Sequence, residues 1–216
     1  MPYLPSPAFS ARETSVTLTR RNKLAKLHFY YSTMNAGKST SLLQSSHNYK
    51  ERGMDTLLLS PSVDDRYGEK KIASRIGLQA SSTAFNNKVD LYQLIKEALN
   101  KNSNIKCILL DEAQFITKEQ VIQLAHVTDD FNIPVLAYGL RTDYMGKPFE
   151  ASAYFLGLAD QLVELKTICH CGRKATMVLR TNENGVIQRG GAQVVIGGND
   201  SYIPVCRKHF REGKLG

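Results

Sequence analysis

The run LHFYY (27–31) passes through Ser32-Thr-Met-Asn-Ala-Gly37 into Lys38-Ser39-Thr40 and then into a helical stretch. Strand, small-residue loop and helix, in that order, limit the possible folds more than any other part of the chain. The phosphate-loop frame G-x-x-x-x-G-K-[ST] is met at every position except the first, where Ser32 stands instead of glycine. The frame has a mechanical purpose. Successive backbone N–H groups curl around phosphate oxygens, and the helix starting at Gly37-Lys38 aims the positive end of its dipole at them. Residues Ser32, Thr33, Met34, Asn35, Ala36, Gly37, Lys38 and Ser39 are therefore expected to cradle ATP. Lys38 would reach the β- and γ-phosphates, and the Ser39 hydroxyl would ligate Mg²⁺. A serine at the first position is acceptable where its dihedrals suit an L-residue.

The rest of the chain supplies the expected context. KSTSLLQSSHNYKER (38–52) reads as a helix closed by Gly53 in the left-handed region. TLLLS (56–60), IKCILL (105–110) and IPVLAYGL (133–140) read as buried strands, and LVELKTI (162–168) as a fifth. Between them, DLYQLIKEALNK (90–101) puts Leu91, Leu94, Ile95, Ala98 and Leu99 on one face behind an Asp90 cap. Thr117 and Gln120 form a capping box for a helix over 118–130. Strands spaced by helices predict a parallel α/β sheet of the P-loop (RecA-like) class, with ligands at the carboxyl ends of the strands. Residues 169–205 lose the helical period and read as hairpins: TMVLRT, the turn NENG, then AQVVIGGNDSY. This sets a boundary near residue 168. The organisation expected is a disordered extension over 1–24, a nucleotide-binding domain over 25–168, a small β/lasso domain over 169–210 and a tail over 211–216.

A second feature complements the loop. The strand KCILL ends at Asp111-Glu112. A buried strand tipped with a carboxylate is how such folds hold magnesium, which makes Asp111 the candidate. Its neighbour Glu112 would be the general base that takes the proton of a hydroxyl acceptor. The same DEAQ string also occurs as the magnesium box of nucleic-acid-dependent ATPases, in which the glutamate activates water. Those enzymes normally close their cleft with two such domains, and 216 residues hold barely one.

Charge argues the same way. The formal net charge is +8, but residues 1–27 carry +4 and residues 206–216 carry +3, so the body is close to neutral. That distribution gives no case for a nucleic-acid partner. No stretch approaches the roughly 18 apolar residues of a membrane span, and the first 23 residues lack the apolar segment of a secretory signal.

Three of the four cysteines fall late, as Cys169-x-Cys171 and Cys206-x-x-His209. Two such pairs can close a tetrahedral site, and three thiolates with one imidazole suit zinc. Four protein ligands leave no open position for water, so the site would be structural. His170 is a rival ligand by position alone. Cys107, inside a strand, reads as core.

Taken together, STMNAGKST, Asp64-Asp65-Arg66, DEAQF, YGLRTDY with GKPF, LKTICHCGRKA and QVVIGGNDSYIPVCRKH resemble the type II (cytosolic-type) thymidine kinases, in their bacterial-type members. They run in family order from about residue 26 to 210. The resemblance implies transfer of the ATP γ-phosphoryl group to the 5′-hydroxyl of deoxythymidine. It implies ATP contacts from Asp111, Glu112, Ala113 and Gln114, an arginine near the transferring phosphate at Arg66, and a contact to metal-bound water from Asp64. It also implies a thymine pocket. Backbone groups of Val194, Val195, Ile196, Gly197 and Gly198 would grip the base beside Phe115, Leu140, Tyr144, Phe149 and Tyr202, with Met34 near its methyl group. Structural zinc, Mg²⁺ with ATP, a homotetramer, inhibition by dTTP and a cytoplasmic location follow from the resemblance as well. Around Arg141–Asp143 the sequence departs from the animal pattern.

Overall fold

A computed structural model describes residues 24–62, 69–191, 193 and 202–216. The head segment, Asp64, Asp65, Arg66 and Val194–Gly198 lie outside the described residues.

The main sheet has seven strands in the order β3-β4-β2-β5-β6-β1-β7. They are β1 (Leu27–Ser32), β2 (Asp55–Pro61), β3 (Glu69–Ala73), β4 (Gln79–Phe85), β5 (Ile105–Leu110), β6 (Val135–Leu140) and β7 (Gln161–Glu164). All neighbouring pairs are parallel except β3 with β4. A mostly parallel α/β sheet with flanking helices is thus present.

Alternate residues of the central strands enter two separate cores. Phe29, Ile108, Leu110, Val135 and Ala137 pack on one face with helices α2 (Leu91–Lys101), α3 (Lys118–Phe131) and α4 (Glu150–Leu158). Cys107, Leu109, Leu136 and Tyr138 pack on the other with Leu42 and Leu43 of α1 (Lys38–Lys50). Cover on both faces is why β5 reads as a continuous apolar run and not as an alternation.

The helix starts follow their local chemistry. The Asp90 carboxylate accepts from Gln93 N, and Thr117 with Gln120 forms the reciprocal capping box. Gly53 closes the turn after α1 at φ +71.

Several expectations need correction. The stretch 162–168 is two strands, not one. β7 joins the main sheet beside β1, whereas β8 (Thr167–Ile168) turns away to pair with β9 (Lys174–Ala175). Strands β3 and β4 and helix α4 were not anticipated at all. After NENG, the returning strand is the short β11 (Ile187–Gln188), antiparallel to β10 (Met177–Thr181). β10 also pairs with β12 (Tyr202–Val205), which leads into α5 (Arg207–Glu212). The small sheets enclose their own core of Cys169, Ala175, Leu179, Val205 and Cys206.

Candidate active site

The carboxyl ends of β1 and β5 flank β6, where the strand order reverses and a crevice opens in sheets of this type. From β1 the loop 33–37 runs into α1. Its left-handed residues are Asn35 at φ 64 and Gly37 at φ +78, while Ser32 still belongs to the strand and pairs with Leu140. Glycine is therefore not demanded at position 32, which answers the departure from the frame. At Gly37 a Cβ would meet nothing within 4 Å, so it is the backbone conformation that calls for glycine.

Ser32 also has a positive role. The Lys38 ammonium donates to Ser32 Oγ at 3.2 Å and to Thr33 O at 3.0 Å. Lys38 is buried, and among the described residues it forms no ion pair. Burial lowers its pKa, against the opposing pull of Glu112 and Asp111. A buried cation held by neutral oxygens favours an incoming anion, since phosphate would supply the missing countercharge. The donor set thus fits a triphosphate.

On the other side, Ser39 Oγ donates to Asp111 Oδ2 at 3.1 Å. The Asp111 carboxyl is pushed up to about 6 by burial and by the charge of Glu112, partly offset by the Glu112 backbone N–H and the Ser39 hydroxyl. A hydroxyl and a carboxylate, both oxygen donors, suit a hard divalent ion such as Mg²⁺.

Glu112 sits in the left-handed region at φ 48, ψ 41, a costly conformation for a side-chain-bearing residue. Gln114 holds it there. The Gln114 amide donates to Glu112 Oε2 at 2.5 Å, and its Oε1 accepts from Leu140 N at 2.9 Å. Gln114 and Ala113, expected at the nucleotide, are buried and are not among the residues lining the cavity described next.

A cavity of about 340 Å³ is lined by Met34, Asn35, Ala36, Gly37, Lys38, Ser39, Thr40, Glu112 and Leu140. Lysine and glutamate thus face one space. Its opposite wall is Ala73, Ser74, Arg75 and Ile76, from the β3–β4 turn. These residues were missed in the sequence, where the glycine at Gly77, which takes φ +90 in the turn, is the one legible signal of a hairpin.

The expected aromatic residues form two pairs. Phe115 meets Phe149 edge-on at 6.0 Å, and Tyr144 meets Tyr202 edge-on at 6.5 Å. Phe149 and Tyr144 are buried.

The Cys/His group also converges. The ligand atoms of Cys169, Cys171, Cys206 and His209 lie within 4.8 Å of one another. Cys169 Sγ is 3.3 Å from His209 Nδ1, and the Cys171 and Cys206 sulfurs are 3.9 Å apart. Tetrahedral zinc with its usual bond lengths would space two sulfurs by about 3.8 Å, so the donors fit. Burial works against the Cys169 thiolate. The backbone N–H groups of Cys171 and Cys206 and the His209 ring outweigh it, and the thiol is drawn down to about 6. In the second pair, Cys206 precedes α5 and His209 lies within it. His170 stacks on His209 with ring centroids 4.3 Å apart and stands outside the four-residue group.

Fold and cleft define an α/β protein of the phosphate-loop kind, with a compact Cys/His cluster beyond its main sheet. The thymidine kinase family model matches residues 25–210, and the chain belongs to that family. It is 61% identical over 191 residues to a thymidine kinase of Coxiella burnetii, covering 88% of this chain and 97% of the relative. It is 60% identical to one from Rhodopirellula baltica, over 88% of this chain and 89% of the relative. Identity to one from Shewanella oneidensis is 58%, over 88% and 98%. Among the described residues no helix is long and apolar enough to cross a membrane.

Proposed function

We propose that the chain transfers the γ-phosphoryl group of ATP to the 5′-hydroxyl of deoxythymidine, giving dTMP and ADP. The observation that carries this reading is the single cavity onto which Lys38, Ser39 and Glu112 all open. The 5′-oxygen attacks the γ-phosphorus, the bond to the β–γ bridging oxygen breaks, and the hydroxyl proton passes to Glu112. Lys38 neutralises charge on the β- and γ-phosphates. Ser39 and Asp111 would hold the magnesium that accompanies ATP, and the ion would offset charge developing on the phosphate oxygens. Arg66 and Asp64 act at the same phosphates, on the family resemblance alone. On the family resemblance, thymine lies against Met34, Leu140, Phe115, Phe149, Tyr144 and Tyr202, and Val194–Gly198, outside the described residues, are its further expected contacts.

The proposed organisation is a nucleotide-binding unit over 25–168 and a zinc-held unit over 169–210. A homotetramer, feedback inhibition by dTTP and a cytoplasmic location rest on the family alone. Sedimentation, dTTP titration and fractionation test them in turn.

The deciding experiment incubates the protein with ATP, Mg²⁺ and each of the four deoxynucleosides, with and without single-stranded DNA. Formation of dTMP from thymidine, independent of DNA, is expected. ATP hydrolysis that requires DNA and leaves thymidine unchanged would refute the reading.

A further inference from the structure

The segment Arg141–Lys147 leaves the carboxyl end of β6 and makes a tight loop before α4. Asp143 N donates to Lys147 O at 2.9 Å, and Thr142 bridges Pro148. Three of its residues, Arg141, Asp143 and Tyr144, reach distant parts of the chain. Arg141 N donates to Ser32 O at 3.3 Å, and its guanidinium donates to Thr176 O at 3.1 Å. The segment therefore ties the first residue of the phosphate loop to the small sheets.

Asp143 and Tyr144 reach further. The Asp143 carboxylate is only 3% exposed, yet among the described residues it has no cationic partner within ion-pair distance. Its Oδ1 accepts from the backbone N–H groups of Met145 and Lys147, both at 2.9 Å. Its Oδ2 accepts from the Gln193 side-chain amide at 3.0 Å. An ionised carboxylate can only accept, so the amide nitrogen of Gln193 must face it. Tyr144 donates its hydroxyl to Gly190 O at 3.0 Å. Its ring carries the Arg180 guanidinium at 5.2 Å on one face and meets Tyr202 edge-on. Behind the turn, a Cβ on Gly146 (φ +81) would come within 3.1 Å of Met177 Cε and 3.3 Å of Phe210, so this backbone lies directly on β10 and α5.

We infer that Asp143 and Gln193 form a latch which sets where the chain leaves β11, and that Asp143 is thereby a positioning residue for the nucleoside site. Gly190 and Gln193 are held from the same two consecutive residues, and one of these, Tyr144, also forms the aromatic pair with Tyr202. Moving Gln193 off Asp143 shifts that wall relative to Leu140 and the phosphate loop. The identity of the ligand, thymidine, rests on the function proposed above; the latch itself does not.

The test exchanges the polarity of the pair. Gln193→Glu sets a second carboxylate, on an exposed residue, against the buried one of Asp143. In the double variant D143N/Q193E, the amide introduced at position 143 donates its N–H to the carboxylate introduced at position 193. Its carbonyl oxygen meanwhile keeps the Met145 and Lys147 N–H groups. Q193E is expected to raise the KM for thymidine about tenfold, with the KM for ATP within about twofold and kcat within about threefold. The double variant should return the thymidine KM to within about threefold of the parent. Amide hydrogen exchange of a peptide spanning 186–193 reads the latch without turnover, and it should speed up in Q193E and recover in the double variant. Should Q193E not fold, Gln193→Met removes the donor without adding charge and should show the same direction of change. Unaltered exchange and thymidine KM in Q193E or Q193M would overturn the latch. So would a double variant that melts like the parent yet is no better than Q193E. A parent protein that leaves thymidine unphosphorylated would instead overturn the substrate reading, and the exchange experiment would still decide whether the latch exists.

Discussion

Ser39 Oγ lies 3.1 Å from Asp111 Oδ2, a contact between residues 72 positions apart that joins the start of α1 to the tip of β5. It brings together the two groups expected to share a magnesium ion, and it does so at a carboxyl whose proton affinity is raised by burial.

That raised affinity has a signed consequence. The folded protein holds the Asp111 proton up to about pH 6, whereas an unfolded aspartate loses it near pH 3.9. Asp111 therefore makes stability fall as pH rises between about 4 and 6, by on the order of 2–3 kcal/mol, with no further loss above that window. Asp111→Asn should remove this slope and leave the protein more stable at pH 7.5, while lowering magnesium-dependent turnover by about tenfold or more. Urea unfolding at pH 4.5 and 7.5, without magnesium or nucleotide, measures the first. A variant with the parent's pH slope would show that Asp111 is not the source.

Glu112→Gln keeps the shape of the side chain and an oxygen to accept from Gln114. It should bind ATP normally and lose roughly 10²–10⁴-fold in kcat, the usual scale for a removed general base. Single-turnover kinetics with thymidine settles it, and an unimpaired rate would withdraw the proton acceptor role.

Gly139 bears on the same residue from behind. A Cβ there would lie 3.1 Å from Gln114 N and 3.1 Å from Gln114 Oε1, the atom that receives Leu140 N–H. Gly139→Ala should cost about 1–3 kcal/mol through overpacking and lower kcat by displacing the side chain that holds Glu112. Thermal melts alongside turnover separate the two effects. Parent-like values in both would mean the site has slack it does not show.

Purified protein should contain stoichiometric zinc, released by a strong chelator and reduced in Cys169→Ser. At a free ion concentration a hundred times its Kd, a bound metal adds about 2.7 kcal/mol. Chelation should therefore lower the melting temperature by about 5–10 °C for a chain of this size. Metal analysis with a parallel melt tests this, and metal-free protein melting at the same temperature would refute it.

The features that were legible in the chain are those set by near neighbours. Asp90 and Thr117 start helices because their side chains meet N–H groups three residues away, and IKCILL reads as a buried strand because its apolar residues, interrupted only by the exposed Lys106, fall on both faces. The phosphate-loop frame and the acidic tip of β5 could be read for the same reason, being short motifs with fixed internal spacing.

What the sequence alone determined is therefore the class of sheet, the phosphate loop, the acidic strand tip and the Cys/His donors. Tertiary structure decided the rest. It brought the β3–β4 turn into one cavity with the loop, split 162–168 between two sheets, and set Asp143 against Gln193, 50 residues away. The physical reason is range. Caps and periodicity act over a few residues and leave a mark in composition, whereas a pairing across tens of residues is fixed by the strand order and packing that bring its ends together.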